Sequence, residues 1–524
     1  ESLLFGSTVP DCRMNNRSHS LALTLALRRS LSSLGVPVNV VRFAMTNDVR
    51  VRFIAGFLLL AMGLSLLVSR PAQAQESTLL VPQDHATIQG AVDAANAGDT
   101  IVVDRGEYNE EVFVGEGKDN LTIRGVDRNE VILDGNNEMA IAIFVKAANG
   151  VRIENMTARE YTGNGFYWQS VDGYVGRYLT AYHIGIYGIY AFDSRLGLFE
   201  DSYASGSADS SFYIGQCYPC DATIRNVVGE YSIIGYSGTN AGGNLSIEDS
   251  VWNFNGAGMI PNSLDGEANP PQREATLSRN IVTGSGTVPV PVKGIFEIAN
   301  GLGIAVAGGI GNIVEDNVVT GSTRYGIVVT ILPDQNVWQP KDNTVRNNTV
   351  SDSGADDPLG TDLAILAASD TGNCFTGNTF ETSDPPQIET LWPCDGPSLS
   401  QAPGGGSIVA GGNLLATYAL AAACQEGIDP ACNESPTYDS TPIPPAQLTM
   451  PANEAGKSFA GGPAEQEAAG APQSAGLSAT QATVAMPAAA TAATSSLPAT
   501  GGGVISLLAG LGLLVSGARR RRQS

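Results

Sequence analysis

Gly165-Phe-Tyr-Trp-Gln-Ser, Gly188-Ile-Tyr-Ala-Phe-Asp, Ser211-Phe-Tyr-Ile-Gly-Gln, Gly235-Tyr-Ser-Gly-Thr-Asn and Gly258-Met-Ile-Pro-Asn-Ser follow one another between Gly165 and Ser263, and they decide the fold. Their starts lie 23, 23, 24 and 23 residues apart. A period of that size marks a solenoid, whose units bury their apolar faces only by stacking on one another. Positions one and three after each start are mostly apolar: Phe166 and Trp168, Ile189 and Ala191, Phe212 and Ile214, Met259 and Pro261. Alternation of period two makes each unit a strand with those side chains turned inward. The intervening position then faces out and carries Tyr167, Tyr190 and Tyr213. In parallel coils stacked ~4.8 Å apart, those rings form an outer column.

A second phrase recurs on both sides of this stretch. It reads Val151-Arg-Ile-Glu-Asn, Leu245-Ser-Ile-Glu-Asp, Thr276-Leu-Ser-Arg-Asn, Ile313-Val-Glu-Asp-Asn, Thr344-Val-Arg-Asn-Asn and Phe375-Thr-Gly-Asn. Each is a short strand closed by Asn or Asp. Asn tolerates turn conformations and bonds backbone groups, so Asn at one corner of successive coils ties turn to turn. Later units are spread by insertions, including Pro261 to Arg273, and the phase returns at Gly303-Ile-Ala-Val-Ala and Gly326-Ile-Val-Val-Thr.

Ahead of the repeats, residues 1–44 show no organisation. Arg50 and Arg52, the apolar run Phe53 to Val68 and the small residues Ala72-Gln-Ala74 form the three regions of a signal peptide over 45–74. Residues Thr87 to Ala95 place Ile88, Ala91, Val92 and Ala95 on one helical face, which suits a short cap over the first coil.

The opening Gly98-Asp-Thr, Gly106-Glu-Tyr-Asn-Glu and Leu121-Thr-Ile-Arg-Gly, followed by the Asn-ended repeats, resembles the pectate-lyase-like superfamily. The resemblance covers about 75–395 and implies an all-β, right-handed parallel β-helix solenoid. Pectin esterases, polysaccharide lyases and mannuronan epimerases share that fold, so activity has to be argued from a site.

From 396 to 496 the chain is rich in Ala, Gly, Pro, Ser and Thr without strand period, and is expected to be a disordered stalk. Residues 497–524 contain Leu497-Pro498-Ala499-Thr500-Gly501, the apolar run Val504 to Ala518 and Arg519 to Arg522. This resembles the sortase sorting signal of Gram-positive surface proteins, which implies cleavage after Thr500 and attachment to peptidoglycan. The 15 apolar residues span only about 22 Å as a helix, short for a lasting bilayer span. Membrane contact is therefore expected only through this segment before sorting. The expected location is the cell wall.

A net charge of −23 argues against a nucleic-acid partner. Beyond the leader the cysteines are Cys217, Cys220, Cys374, Cys394, Cys424 and Cys432, and an even number in an exported chain points to disulfides, paired locally. Cys217-Tyr-Pro-Cys220 has no second pair or nearby His to complete a zinc set, so a structural bridge is expected there. No cofactor is expected, and no motif supports calcium.

The tyrosine column suggests a surface for extracellular polysaccharide: Tyr167, Tyr190 and Tyr213 against sugar rings, with Gln216 and Asn240, five residues after their unit starts, binding hydroxyls. For catalysis the candidates are Tyr190, Asp193 and Asp209, a phenol and two carboxylates near the column. His183 is the one histidine of the repeat body. No Arg or Lys sits among the aligned outward positions, and the Asp-Pro-His-Glu sequence of the mannuronan epimerases is absent. Two readings stay open: a wall-anchored glycan-binding protein, and a polysaccharide-active lyase, epimerase or hydrolase.

Overall fold

A computed structural model describes residues 76–290, 298–355, 357–367, 372–396 and 441–455. The signal peptide, the sorting signal, Cys424 and Cys432 lie outside the described residues. Among the described residues no helix is long and apolar enough to cross a membrane.

The repeats wind into a parallel β-helix with three faces. Face A begins with Thr78–Val81, Thr100–Val103 and Thr122–Gly125, each in register with the next coil. Face B carries Tyr203–Ser207, Val228–Glu230 and Val251–Asn253. Arg152–Arg159 and Val175–Ile184 run through the corner and join both faces into one 20-stranded sheet. Face C is an 11-stranded sheet that includes Asn164–Gln169, Ile189–Phe192 and Ser210–Gly215. The strands of the repeated units follow the expected alternation: Phe166, Trp168, Ile189, Ala191, Phe212 and Ile214 are all fully buried. The one antiparallel pair among the described strands is the hairpin of Leu332–Pro333 and Val337–Trp338.

The glycine that starts most units has a steric cause. A Cβ on Gly165 would stand 2.5 Å from the carbonyl oxygen of Gly188 in the next coil. The A–B corner has a conformational one. Asn155, Tyr178, Asp201, Asn226, Asp249, Arg279, Asp316 and Asn347 occupy it, all with φ between 50 and 59°. Asn and Asp adopt that left-handed conformation most readily among residues with side chains, which explains the phrase endings Asn155 and Asp249; the endings Asn280, Asn317, Asn348 and Asn378 stand one place beyond the corner.

Asparagine ladders follow the corner. Asn317 donates from Nδ2 to Leu277 O at 2.9 Å and to Asn348 Oδ1 at 2.9 Å, while its Oδ1 accepts from Asn280 N and Nδ2 at 2.9 and 3.0 Å. Asn348 repeats the arrangement with Asn378, and a second ladder runs Gln272, Asn312, Asn343, Asn373. Each amide bonds the coils before and after it, so the ladder amides satisfy one another without water.

The first coil is capped by the helix Ile88–Ala94, with Thr87 Oγ1 accepting from Gly90 N at 3.0 Å. Ile88, Ala91 and Val92 close the core beneath it. Disulfides join Cys217 to Cys220 and Cys374 to Cys394, as local pairing predicts.

One finding corrects the expectation of a featureless stalk. Residues 441–455 lie against the flank of the coils, extended up to Pro451 and then turning through the short 3-10 helix Ala452–Glu454. Asn129 and Gln447 bond reciprocally at 2.8 and 2.7 Å, and Asn155 Oδ1 accepts from Thr449 Oγ1 and Met450 N. Farther along, Arg177 donates to Glu454 O at 2.9 Å. The buried Arg128 guanidinium donates to Thr180 Oγ1 and to the carbonyls of Leu179, Asp201 and Leu448; burial pushes it down to about 9. A segment held chiefly through its main chain needs no apolar period, and composition alone therefore conceals it.

Candidate functional site

Face C brings the predicted tyrosines side by side. Tyr190 pairs in register with Tyr167 on one side and Tyr213 on the other. Phe113 and Phe144 extend the row toward the first coil. Ring centroids are 4.7 Å apart for Phe144–Tyr167 and 4.3 Å for Tyr167–Tyr190, with planes within 8° of parallel. Tyr213 meets Tyr190 edge-on at 5.0 Å, and Phe113 is tilted on Phe144 at 5.6 Å.

This geometry refines the expected contact with sugar. The stacked rings turn their faces to one another along the coil axis, so what Tyr167 and Phe144 offer outward is ring edge and, for Tyr167, hydroxyl. Accessibility also divides the row. Phe113 is 49% exposed and Phe144 and Tyr167 are half-buried, whereas Tyr190 and Tyr213 are 8% and 2% exposed.

The cover is the insertion after Asn262. Residues 264–269 are fastened at one edge by Asn240, whose Nδ2 donates to Leu264 O and Glu267 O at 2.7 and 3.1 Å and whose Oδ1 accepts from Leu264 N. Gln216 Oε1 accepts from Ala268 N, and Gln216 O accepts from Asn269 Nδ2. Gln216 and Asn240, predicted to bind sugar hydroxyls, thus spend their polar groups on this loop. Together with Ser170 and Asp193 they have φ between 48 and 57°, so a left-handed corner accounts for their recurrence.

Beneath the loop lies a cluster of carboxyls and phenols. Tyr213 donates its hydroxyl to Glu267 at 3.1 Å, and Tyr187 packs on Tyr190 at 4.4 Å and on Tyr213 at 4.9 Å. Asp209, half-buried, accepts from Ser210 Oγ at 2.7 Å and from the Tyr187 hydroxyl. Burial pushes Asp209 up to about 6, against the pull of those two hydrogen bonds. It pushes Glu267 up to about 7, opposed by the Tyr213 bond and helped by the charge of Asp209. The phenols of Tyr187, Tyr190 and Tyr213 are all raised well above their ordinary range, first by burial. Glu267, which at about 7 holds a proton part of the time near neutrality, and the three phenols can donate hydrogen bonds or protons to a ligand oxygen, with Asp209 beside them as an acceptor once ionised.

The predicted catalytic set is only partly assembled. Tyr190 and Asp209 both border the cluster. Asp193 lies beyond the far end of Ile189–Phe192, level with Gln216 and so about 23 Å along the strand direction from Asp209, exposed and bonded to Ser170 Oγ at 2.8 Å. His183 takes the flank, with Nε2 3.1 Å from Thr441 O. Sequence reading missed Tyr187 and Glu267. Tyr187 is visible in retrospect as the residue before a unit start, but Glu267 sits in an aperiodic insertion whose landing place no spacing discloses. Among the described residues no group of three or more His, Cys, Asp or Glu is arranged to hold a metal ion.

No family model matches the sequence, and no curated protein matches it. Among solved structures the chain is similar to the A-module of Azotobacter vinelandii mannuronan C-5 epimerase AlgE4, at 13% identity over 57% of this chain and 89% of that one, TM-score 0.39. It is also similar to an alginate lyase from Paenibacillus sp. (12% identity, 56% and 98% covered, TM-score 0.33). A third is the catalytic domain of a GH87 alpha-1,3-glucanase in complex with nigerose (13% identity, 57% and 68% covered, TM-score 0.36). At such values nothing about activity carries over from them.

Proposed function

We propose that the protein binds neutral polysaccharide along face C, across the edge of the aromatic row and the carboxyl–phenol cluster beside it. The observation that supports this most directly is a continuous line of five rings, from Phe113 to Tyr213, flanked by hydroxyl and carboxyl groups able to bond sugar hydroxyls. Charge selects among glycans. Asp193, Asp209 and Glu267 border the row and Lys146 stands near its early end, so a polyuronate meets mostly like charge.

A second reading, hydrolysis, is favoured by one feature: Glu267, with its carboxyl pushed up to about 7, can serve as a general acid at neutral pH. One experiment separates the two. The purified protein is tested on arrays of neutral and uronate oligosaccharides, with parallel assay of new reducing ends. Tyr167→Ala should weaken neutral-glycan binding about tenfold, ~1.4 kcal/mol, with an unchanged circular dichroism spectrum. Preference for uronates, or unaltered binding in the variant, would refute the binding proposal. Reducing ends released by the protein but not by Glu267→Gln would establish hydrolysis.

Display on the cell wall belongs to the same proposal and rests on Leu497 to Arg522 alone. Thr500→Ala should then move the protein from the wall fraction to the membrane or medium; unchanged wall attachment would exclude that route.

A further inference from the structure

The loop over the row is held down by groups that repel one another when ionised. Asp265 accepts from Asn336 N and Nδ2 at 2.7 and 2.6 Å, and donates its own N–H to Asp334 Oδ2 at 2.7 Å. The two side-chain carboxyls also lie within hydrogen-bonding reach of each other. Asp334 is 6% exposed, and its Oδ1 has no hydrogen-bond partner. At the other contact of the same loop, Glu267 faces Tyr213, Tyr190, Tyr187 and Asp209. Among the described residues the cation at this loop is Arg273, at its foot: it donates to Asn269 O at 3.2 Å and lies 4.0 Å above the Tyr218 ring, whose hydroxyl donates to Glu274. It therefore stands at the loop's base, while both carboxyl pairs hold its span.

We propose that residues 264–269 form a proton-operated lid, closed over Tyr190 and Tyr213 in acid and released when Asp334, Glu267 and Asp209, each facing another carboxyl, ionise. The proposal rests on the glycan reading for its purpose: opening lengthens the accessible row from Phe113, Phe144 and Tyr167 to all five rings. Burial raises Asp334, Glu267 and Asp209 alike. A carboxyl raised in the closed state stabilises closure fully below its open-state value, and that contribution is lost as pH rises through the closed-state value. With Asp209 at about 6 and Glu267 at about 7, closure weakens between about pH 4 and 7.

Hydrogen exchange of the intact protein, corrected for intrinsic rates, tests this without any ligand. Protection of 264–269 should fall at least about tenfold from pH 5 to pH 8, while the strands of face A keep theirs. Glu267→Gln and Asp334→Asn should each flatten that dependence. Equal protection at both pH values, or the same fall in both folded variants, overturns the lid. In a second arm, long neutral oligosaccharides should bind tighter at pH 8 than at pH 5, and short ones equally. A pH-dependent loop with no glycan bound at either pH supports the lid and refutes the glycan reading. Glycan binding with an unresponsive loop does the reverse.

Discussion

Glu154→Ala is expected to destabilise the protein by about 3–5 kcal/mol, the usual result of removing one partner from a buried ion pair. Glu154 is fully buried and accepts from Arg124 Nε at 2.7 Å and Arg177 Nε at 2.8 Å, each from a neighbouring coil. Arg177 is itself fully buried, and its ion pair with Glu454 of the flanking strap is longer, at 3.6 Å. Without Glu154 the guanidiniums of the coils on either side lose the carboxylate that both share. Urea unfolding followed by circular dichroism measures the loss as a lower midpoint. A change below 1 kcal/mol would mean that water or Glu454 substitutes for the missing carboxylate.

Asn317→Ala should cost about 3 kcal/mol, because a buried group stripped of its partner carries its full desolvation penalty. The substitution withdraws the donor to Leu277 O and the acceptor that serves Asn280 N and Nδ2, in a position 1% exposed. Asn348 would retain the bond it accepts from the residue 317 main chain. The same unfolding experiment reads this effect. A matching loss for the exposed corner residue Asn347 would show that backbone conformation, rather than the ladder, is what asparagine supplies.

These two positions illustrate what the sequence discloses. The ladder was legible because Asn returns at one phase of the repeat, and periodicity places a residue on a coil without further information. The tyrosine row was legible for the same reason, since Tyr167, Tyr190 and Tyr213 share one phase. Its division into open and covered halves was not, because Glu267 reaches Tyr213 across 54 residues from an insertion without period. Gln216 and Asn240 show the opposite hazard. Their shared phase suggested a binding rail, yet a recurrent polar residue also arises wherever a corner demands a left-handed backbone.

The flanking strap carries a mechanical consequence. The chain reaches Glu454 beside Arg177, a residue of an early coil, so any pull transmitted from farther along enters the molecule through its side. Tension there loads the bonds at Arg177, Asn155 and Asn129 one after another, as in peeling tape. The stacked coils, whose strand pairs would share a load among many bonds at once, are shielded until the tape has come away.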